Sequence, residues 1–93
     1  MFHVLDNKEE LKLRRQNFDK IRPGTLFNFS TVSGSNQISV RHCIAVRVSL
    51  IGDDLWEVVE LTEENRIRAA NGGPCSRVNV GFDEMRCLNI VCE

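Results

Sequence analysis

A small, mainly β domain, five short strands closed into a barrel with a helix in front, is the fold this sequence predicts. Three observations predict it. From Ile38 to Leu50 the even positions carry Ile38, Val40, His42, Ile44, Val46, Val48 and Leu50, and the odd positions Ser39, Arg41, Cys43, Ala45, Arg47 and Ser49. Side chains alternate between two faces in this way only in a strand. Four further short apolar stretches are separated by turns rich in Gly, Pro, Asn and Asp, the spacing of an antiparallel β domain. Finally, 93 residues make one domain with one core, too small to enclose a deep substrate cavity.

The elements follow in order. Residues 6–21 form a helix: Asp6 or Asn7 caps it, Glu9 and Glu10 sit in the first turn where the helix dipole favours acids, and Glu10 precedes Arg14 by four. Its apolar stripe is thin, chiefly Leu11, Phe18 and Ile21, so it packs weakly and leaves Arg14 and Arg15 in solvent. Arg22-Pro23-Gly24 is a turn in which Pro fixes one dihedral and Gly supplies a positive one. Residues 22–93 hold the barrel. Thr25–Val32 is the first strand and Ser33–Gln37 a polar hairpin loop. Ile38–Ile51 is the second strand, with its even, β-branched face covered and its odd face open. Gly52-Asp53-Asp54 turns into a third strand, Leu55–Leu61, which completes a meander. Thr62 can cap a short helix or 3-10 turn that ends near Gly72. Arg77–Phe82 and Met85–Val91 are the fourth and fifth strands, joined at Asp83-Glu84. A helix followed by five such strands suggests an SH3-like barrel, since closure removes the exposed edges of a flat sheet.

Composition excludes several classes. With 42% apolar and 27% charged residues the chain is an ordinary globule rather than a disordered one. No apolar run approaches the ~20 residues of a membrane span, and Asp6 follows Met1 too soon for a signal peptide. The expectation is a cytoplasmic protein with no membrane partner and with Cys43, Cys75, Cys87 and Cys92 reduced. No two cysteines have the close spacing of a zinc knuckle, so neither metal nor other cofactor is expected. His42 and Cys43 are adjacent in a strand and point to opposite faces, so they cannot form a nucleophile–base pair. The Asn71-Gly72-Gly73-Pro74 stretch lacks the Lys and Ser/Thr of a phosphate loop.

Charge is the more informative signal. The net charge is −1, yet Lys12 to Arg47 holds seven basic residues against Asp19 alone, and Val48 to Glu64 holds six acids and no base. Either the blocks form opposed surface patches, or neighbouring strands interleave them into ion pairs, with Glu57 and Glu60 the partners for Arg41 and Arg47. In the first case Arg14, Arg15, Arg22, Arg41 and Arg47, with Trp56 as an aromatic neighbour, would bind an acidic protein surface or a single-stranded nucleic acid.

Several motifs point to a family. Arg22-Pro23-Gly24-Thr25-Leu26-Phe27 resembles the opening strand of the MazF/PemK toxin ribonucleases. Arg41 to Ser49 is similar to their Arg-Pro-Ala-Val-Val-Val-Ser strand, and Val59-Glu60-Leu61-Thr62 to a strand ending in Leu/Ile-Thr. Ser76 to Arg86 resembles their Ser…Asp-Gln-Ile-Arg segment. The resemblance spans roughly residues 22–91 and implies an SH3-like barrel that cuts single-stranded RNA as a homodimer. Arg41 would bind phosphate and act as the acid, and Thr62 would be the second active-site residue. His42 stands where the family has proline, the loop before the arginine strand is short, and the family's C-terminal helix is absent. The residues themselves favour a binding module without catalysis, a regulator or inhibitor of the sort small barrels provide in phage and mobile elements, by fold-level analogy. The ribonuclease and a structural subunit of a larger assembly are the alternatives.

Overall fold

The first strand decides how the rest of the chain packs. In the computed structural model, which describes residues 8–92, β1 (Leu26–Val32) alternates Phe27 and Phe29 with Asn28 and Ser30. Both aromatic rings are buried to within 1% of complete. The chain runs α1 (Lys8–Phe18), β1, β2 (Ile38–Val48), β3 (Leu55–Glu60), α2 (Glu63–Ala70), β4 (Arg77–Gly81), a 3-10 turn at Phe82–Glu84, and β5 (Arg86–Cys92). The predicted order of a helix, a three-strand meander, a short helix and two more strands therefore holds. Asp6, Asn7, Phe2 and His3 lie outside the described residues. Gly24 takes the positive φ of 92° its turn needs, and Gly72 a φ of 74° just beyond α2.

The five strands form one antiparallel sheet in the order β4-β3-β2-β1-β5. The sheet is not closed, which corrects the predicted barrel. β4 and β5 are its two edges, joined by the 3-10 turn rather than by strand pairing. Helix α1 packs against β5 and that turn, and Phe18 with Ile21 joins the core there. Helical side chains thus complete the core that closure would otherwise have completed.

The covered face of β2 is the reverse of the prediction. Cys43 and Ala45 are buried, whereas Ile38, Val40 and Ile44 are exposed. The cross-strand register gives the reason. Phe27 lies opposite Cys43 and Phe29 opposite Arg41, while Asn28 faces His42 and Ser30 faces Val40. Partners opposite each other share a face, so covering the even face of β2 would drive two phenylalanines of β1 into water and bury an asparagine and a serine. Burying a large apolar side chain is worth about 1.5–3 kcal/mol, and β3 and β4 add Trp56, Val58 and Val80 to the aromatic side. A small residue such as Cys43 or Ala45 also leaves depth for Phe18 of α1 and for Ile21 just beyond it. The outcome is a one-sided core, with α1 on the inner face and no helix core on the outer.

Helix α1 differs from its predicted stripe as well. Leu11 is 42% exposed while Arg14 is only 4% exposed. Arg14 donates from Nε to Glu10 Oε2 at 2.9 Å, pairs with the other Glu10 oxygen, and donates to the Phe82 carbonyl at 3.2 Å. Glu10 also accepts from the Cys87 amide at 3.1 Å, where Cys87 adopts a φ of 55° beside the register shift between β1 and β5. A charged pair, closed by backbone groups of the 3-10 turn and β5, ties α1 to the sheet together with the buried Phe18 and the Asn17 side-chain amide, which donates to the Leu88 carbonyl at 2.9 Å. Burial acts to raise the Glu10 pKa, but the hydrogen bonds from Arg14 and Cys87 and the attraction of Arg14 and Arg86 outweigh it and hold it below its ordinary value.

Candidate functional site

The basic and acidic blocks of the sequence meet each other in the fold. Arg15 forks onto Asp54 at 2.9 and 3.3 Å and lies 4.1 Å from the centre of the Phe82 ring. Arg41 forks onto Glu60 at 2.9 and 3.1 Å. Arg47 reaches Glu57, which also attracts Arg77. Arg22 donates to the carbonyls of Asp19 and Ile21 at 2.8 and 2.9 Å, where a cation suits the end of α1. Of the two outcomes, interleaving is the one the fold adopts for Arg15, Arg41 and Arg47, while Arg22 binds backbone carbonyls and Arg14 is buried. Trp56 is no exposed aromatic: 6% of it is accessible, inside the core.

Arg41 and Arg47, six apart on one strand, do not share a face. A register shift between Ala45 and Arg47 inserts Val46 as an extra residue, so Arg47 joins Glu57 on the outer face while Arg41 lies at the rim of the inner one. The Arg41 guanidinium stands 5.3 Å from the Phe29 ring centre, and Glu60 raises its pKa. The Thr62 hydroxyl accepts from the Asn65 amide at 3.2 Å as the cap of α2. Both residues of the ribonuclease reading are thus engaged in the fold, Arg41 on the inner side and Thr62 at the helix cap. His42 is exposed on the outer face. Cys43 is buried behind it, and burial pushes its thiol up to about 11, so the thiolate a nucleophile needs is scarce at neutral pH. Among the described residues, no three His, Cys, Asp or Glu side chains gather closely enough to hold a metal ion, and no helix is long and apolar enough to cross a membrane.

What the fold leaves without cover is an apolar band on the outer face. Val32, Ile38, Val40, Ile44 and Leu61 are each between 37% and 54% exposed, and Val32 pairs directly with Ile38. At the Ile44 end, α2 stands off the sheet and leaves a cavity of about 440 Å³. Ile44, Val59, Leu61 and Ala69 line it. Of the polar groups on its wall, Arg66 pairs with Glu63 in solvent, and the others are turned to internal partners. Asn65 donates to the Glu60 carbonyl at 2.7 Å and accepts from the Ser76 amide at 2.9 Å, and Thr62 is in the cap. The wall therefore offers hydrocarbon, with room for side chains of a visitor. These residues were missed in the sequence because β2 was read alone. The Asn28–Ser30 alternation of β1 carried the information that the opposite side of that hairpin is the buried one.

Comparison of the chain with protein-family models, curated proteins and solved structures gave no match.

Proposed function

We propose that this chain is a non-catalytic binding module that recognises a protein through the outer face of its sheet. The observation that carries this reading is the uncovered row Val32, Ile38, Val40 and Ile44, broken by the exposed His42 between the last two and reaching the cavity under α2 at its Ile44 end. Contiguous apolar surface on a soluble domain marks an interaction site, and β-branched side chains on a pleated sheet are rigid and lose little entropy when covered. The arginines expected to attract an acidic partner support the same reading by their engagement: Arg15, Arg41 and Arg47 each hold a carboxylate of this chain. A nucleic acid would have to break those pairs to be bound. Occlusion of a partner by a rigid face is how a regulator or inhibitor acts without chemistry of its own.

The test is capture of proteins by the immobilised chain, with and without nuclease and at low and high salt, beside a Val40→Asp variant. Binding that survives nuclease and salt and is lost in Val40→Asp is the expected result, because an apolar contact is not screened. Binding removed by nuclease or by salt and indifferent to Val40→Asp would overturn the reading.

A further inference from the structure

We infer that the cavity under α2 is a binding site for a small, uncharged aliphatic compound carrying one carbonyl group. This goes beyond the protein-binding reading above and uses only the Ile44 end of the outer face. The way α2 is held leads there. Asn65 is the one buried residue of the helix, and it is polar. Its side chain donates to the Glu60 carbonyl at 2.7 Å and accepts from the Ser76 amide at 2.9 Å, so it ties α2 to the end of β3 and to the run into β4. The Cys75 thiol donates to the Asn65 carbonyl at 3.6 Å and fastens the same turn. No apolar side chain of α2 is buried: Ile67, Ala69 and Ala70 are all exposed. Hydrogen bonds therefore fix the height of the helix above the sheet, and hydrocarbon of the chain itself does not fill the space below.

That space has the size and surface of a ligand site. At about 440 Å³ it falls within the ~300–1,000 Å³ of small-molecule pockets. With roughly 30 Å³ of liquid volume for each water-sized group, it holds on the order of ten to fifteen non-hydrogen atoms. Ile44 and Val59 are cross-strand partners on its sheet side, Leu61 extends that surface, and Ala69 faces them from the helix. Ile44 and Leu61 are exposed, so an aliphatic chain laid between sheet and helix removes both from water. A residue as small as Ala69 leaves the clearance such a chain needs.

The polar groups on the wall set the head group. The Asn65 amide is engaged at both its nitrogen and its oxygen, and the Cys75 proton is directed to a backbone carbonyl. The Thr62 hydroxyl accepts from the Asn65 backbone amide, which leaves its own proton without an acceptor among the described residues. One donor beside a hydrocarbon wall suits one carbonyl oxygen. A carboxylate suits the site less. Arg66 also borders the cavity, but its guanidinium lies in solvent and forks onto Glu63. An incoming carboxylate would meet an acid already in place there, and would give up hydration against hydrocarbon. Glu64, paired with Arg68, adds a second acid on the same helix.

Titration of the full chain with methyl heptyl ketone, followed by calorimetry and by amide resonances, tests this. A Kd on the order of 100 micromolar is expected for a ligand of that size. The amides of Ile44, Asn65 and Ala69 should shift, and the Trp56 indole, inside the core, should not. Ala69→Trp, which fills the space from an exposed helix position, and Ile44→Asn, on the sheet side, should each weaken uptake at least tenfold while circular dichroism stays unchanged. Thr62→Asp still caps the helix but has no proton to give at neutral pH, and should weaken uptake about threefold to tenfold. Thr62→Ser should match wild type. A wild type that takes up no ketone at its solubility limit overturns the proposal, as does uptake indifferent to both Ala69→Trp and Ile44→Asn. Nonanoate bound more tightly than the ketone overturns the uncharged class and gives the head group to Arg66. Val40→Asp separates the two readings, because Val40 lies outside the cavity. Ketone uptake kept in that variant while protein capture is lost supports both. Ketone uptake with no capture in any variant removes the protein reading alone, and capture without ketone uptake removes this one alone.

Discussion

Replacing Arg14 by alanine should unfold this protein more readily than any other loss of a charge. The side chain is 4% accessible and its partner Glu10 is 11% accessible. Truncation leaves the Glu10 carboxylate nearly enclosed, with the Cys87 amide at 3.1 Å as its remaining donor, and frees the Phe82 carbonyl. It also removes the guanidinium 5.2 Å from the centre of the Phe82 ring. Breaking a buried pair costs ~3–5 kcal/mol; with one backbone hydrogen bond retained by Glu10, we expect about 3 kcal/mol, a factor on the order of a hundred in the folding equilibrium. Urea denaturation followed by tryptophan fluorescence reads it directly, since Trp56 is in the core. The pH dependence is a second readout. Glu10 has a folded pKa below its ordinary value of 4.5, so its contribution is present above that value and is lost as pH falls through the folded one. In Arg14→Ala that contribution is already gone, so the gap between the two proteins should narrow toward acid pH. A cost under about 1 kcal/mol, or a gap that does not change with pH, would show that the buried pair does not hold α1 to the sheet.

The inverted faces of β2 make a paired prediction: Phe27→Ala should cost about 3–5 kcal/mol through lost burial and a cavity, and Val40→Ala less than about 0.5 kcal/mol, both from urea titrations; equal costs would reinstate the opposite face. Removing the cap hydroxyl by Thr62→Ala should cost about 1 kcal/mol by the same assay, with Thr62→Ser close to wild type. Cys43, whose thiol burial raises to about 11, should resist a thiol reagent at neutral pH until denaturant is added, as counted by mass spectrometry; labelling at the rate of the unfolded chain would mean the core is open on that timescale. Arg47→Ala should leave the melting temperature unchanged, because its pair with Glu57 lies in solvent.

Local signals determined the elements of this protein. Proline and glycine at 23 and 24, the Ser33–Gln37 loop, Thr62 before an acidic turn and Gly72 beyond it each impose a backbone state through their own chemistry, and the observed boundaries agree within a few residues. The alternation of β2 likewise announced a strand. It could not announce which face would be covered, because both faces of β2 can be buried: one is β-branched, the other holds Cys43 and Ala45. That choice belonged to β1, β3 and β4, whose Phe27, Phe29, Trp56, Val58 and Val80 all demand the same side. The apolar outer band is the consequence, and it was invisible until register was known. The arginines show the same division. Their separation from the acids along the chain is a property of sequence, but pairs such as Arg15 with Asp54, 39 residues apart, exist only once α1 lies against the turn after β2. Closure of the sheet was also a tertiary matter, since Phe18 of α1 and Ile21 just beyond it fill the inner face between the two edge strands. Short-range chemistry sets φ, ψ and periodicity, whereas burial is a contest among all strands at once, and only the assembled sheet decides it.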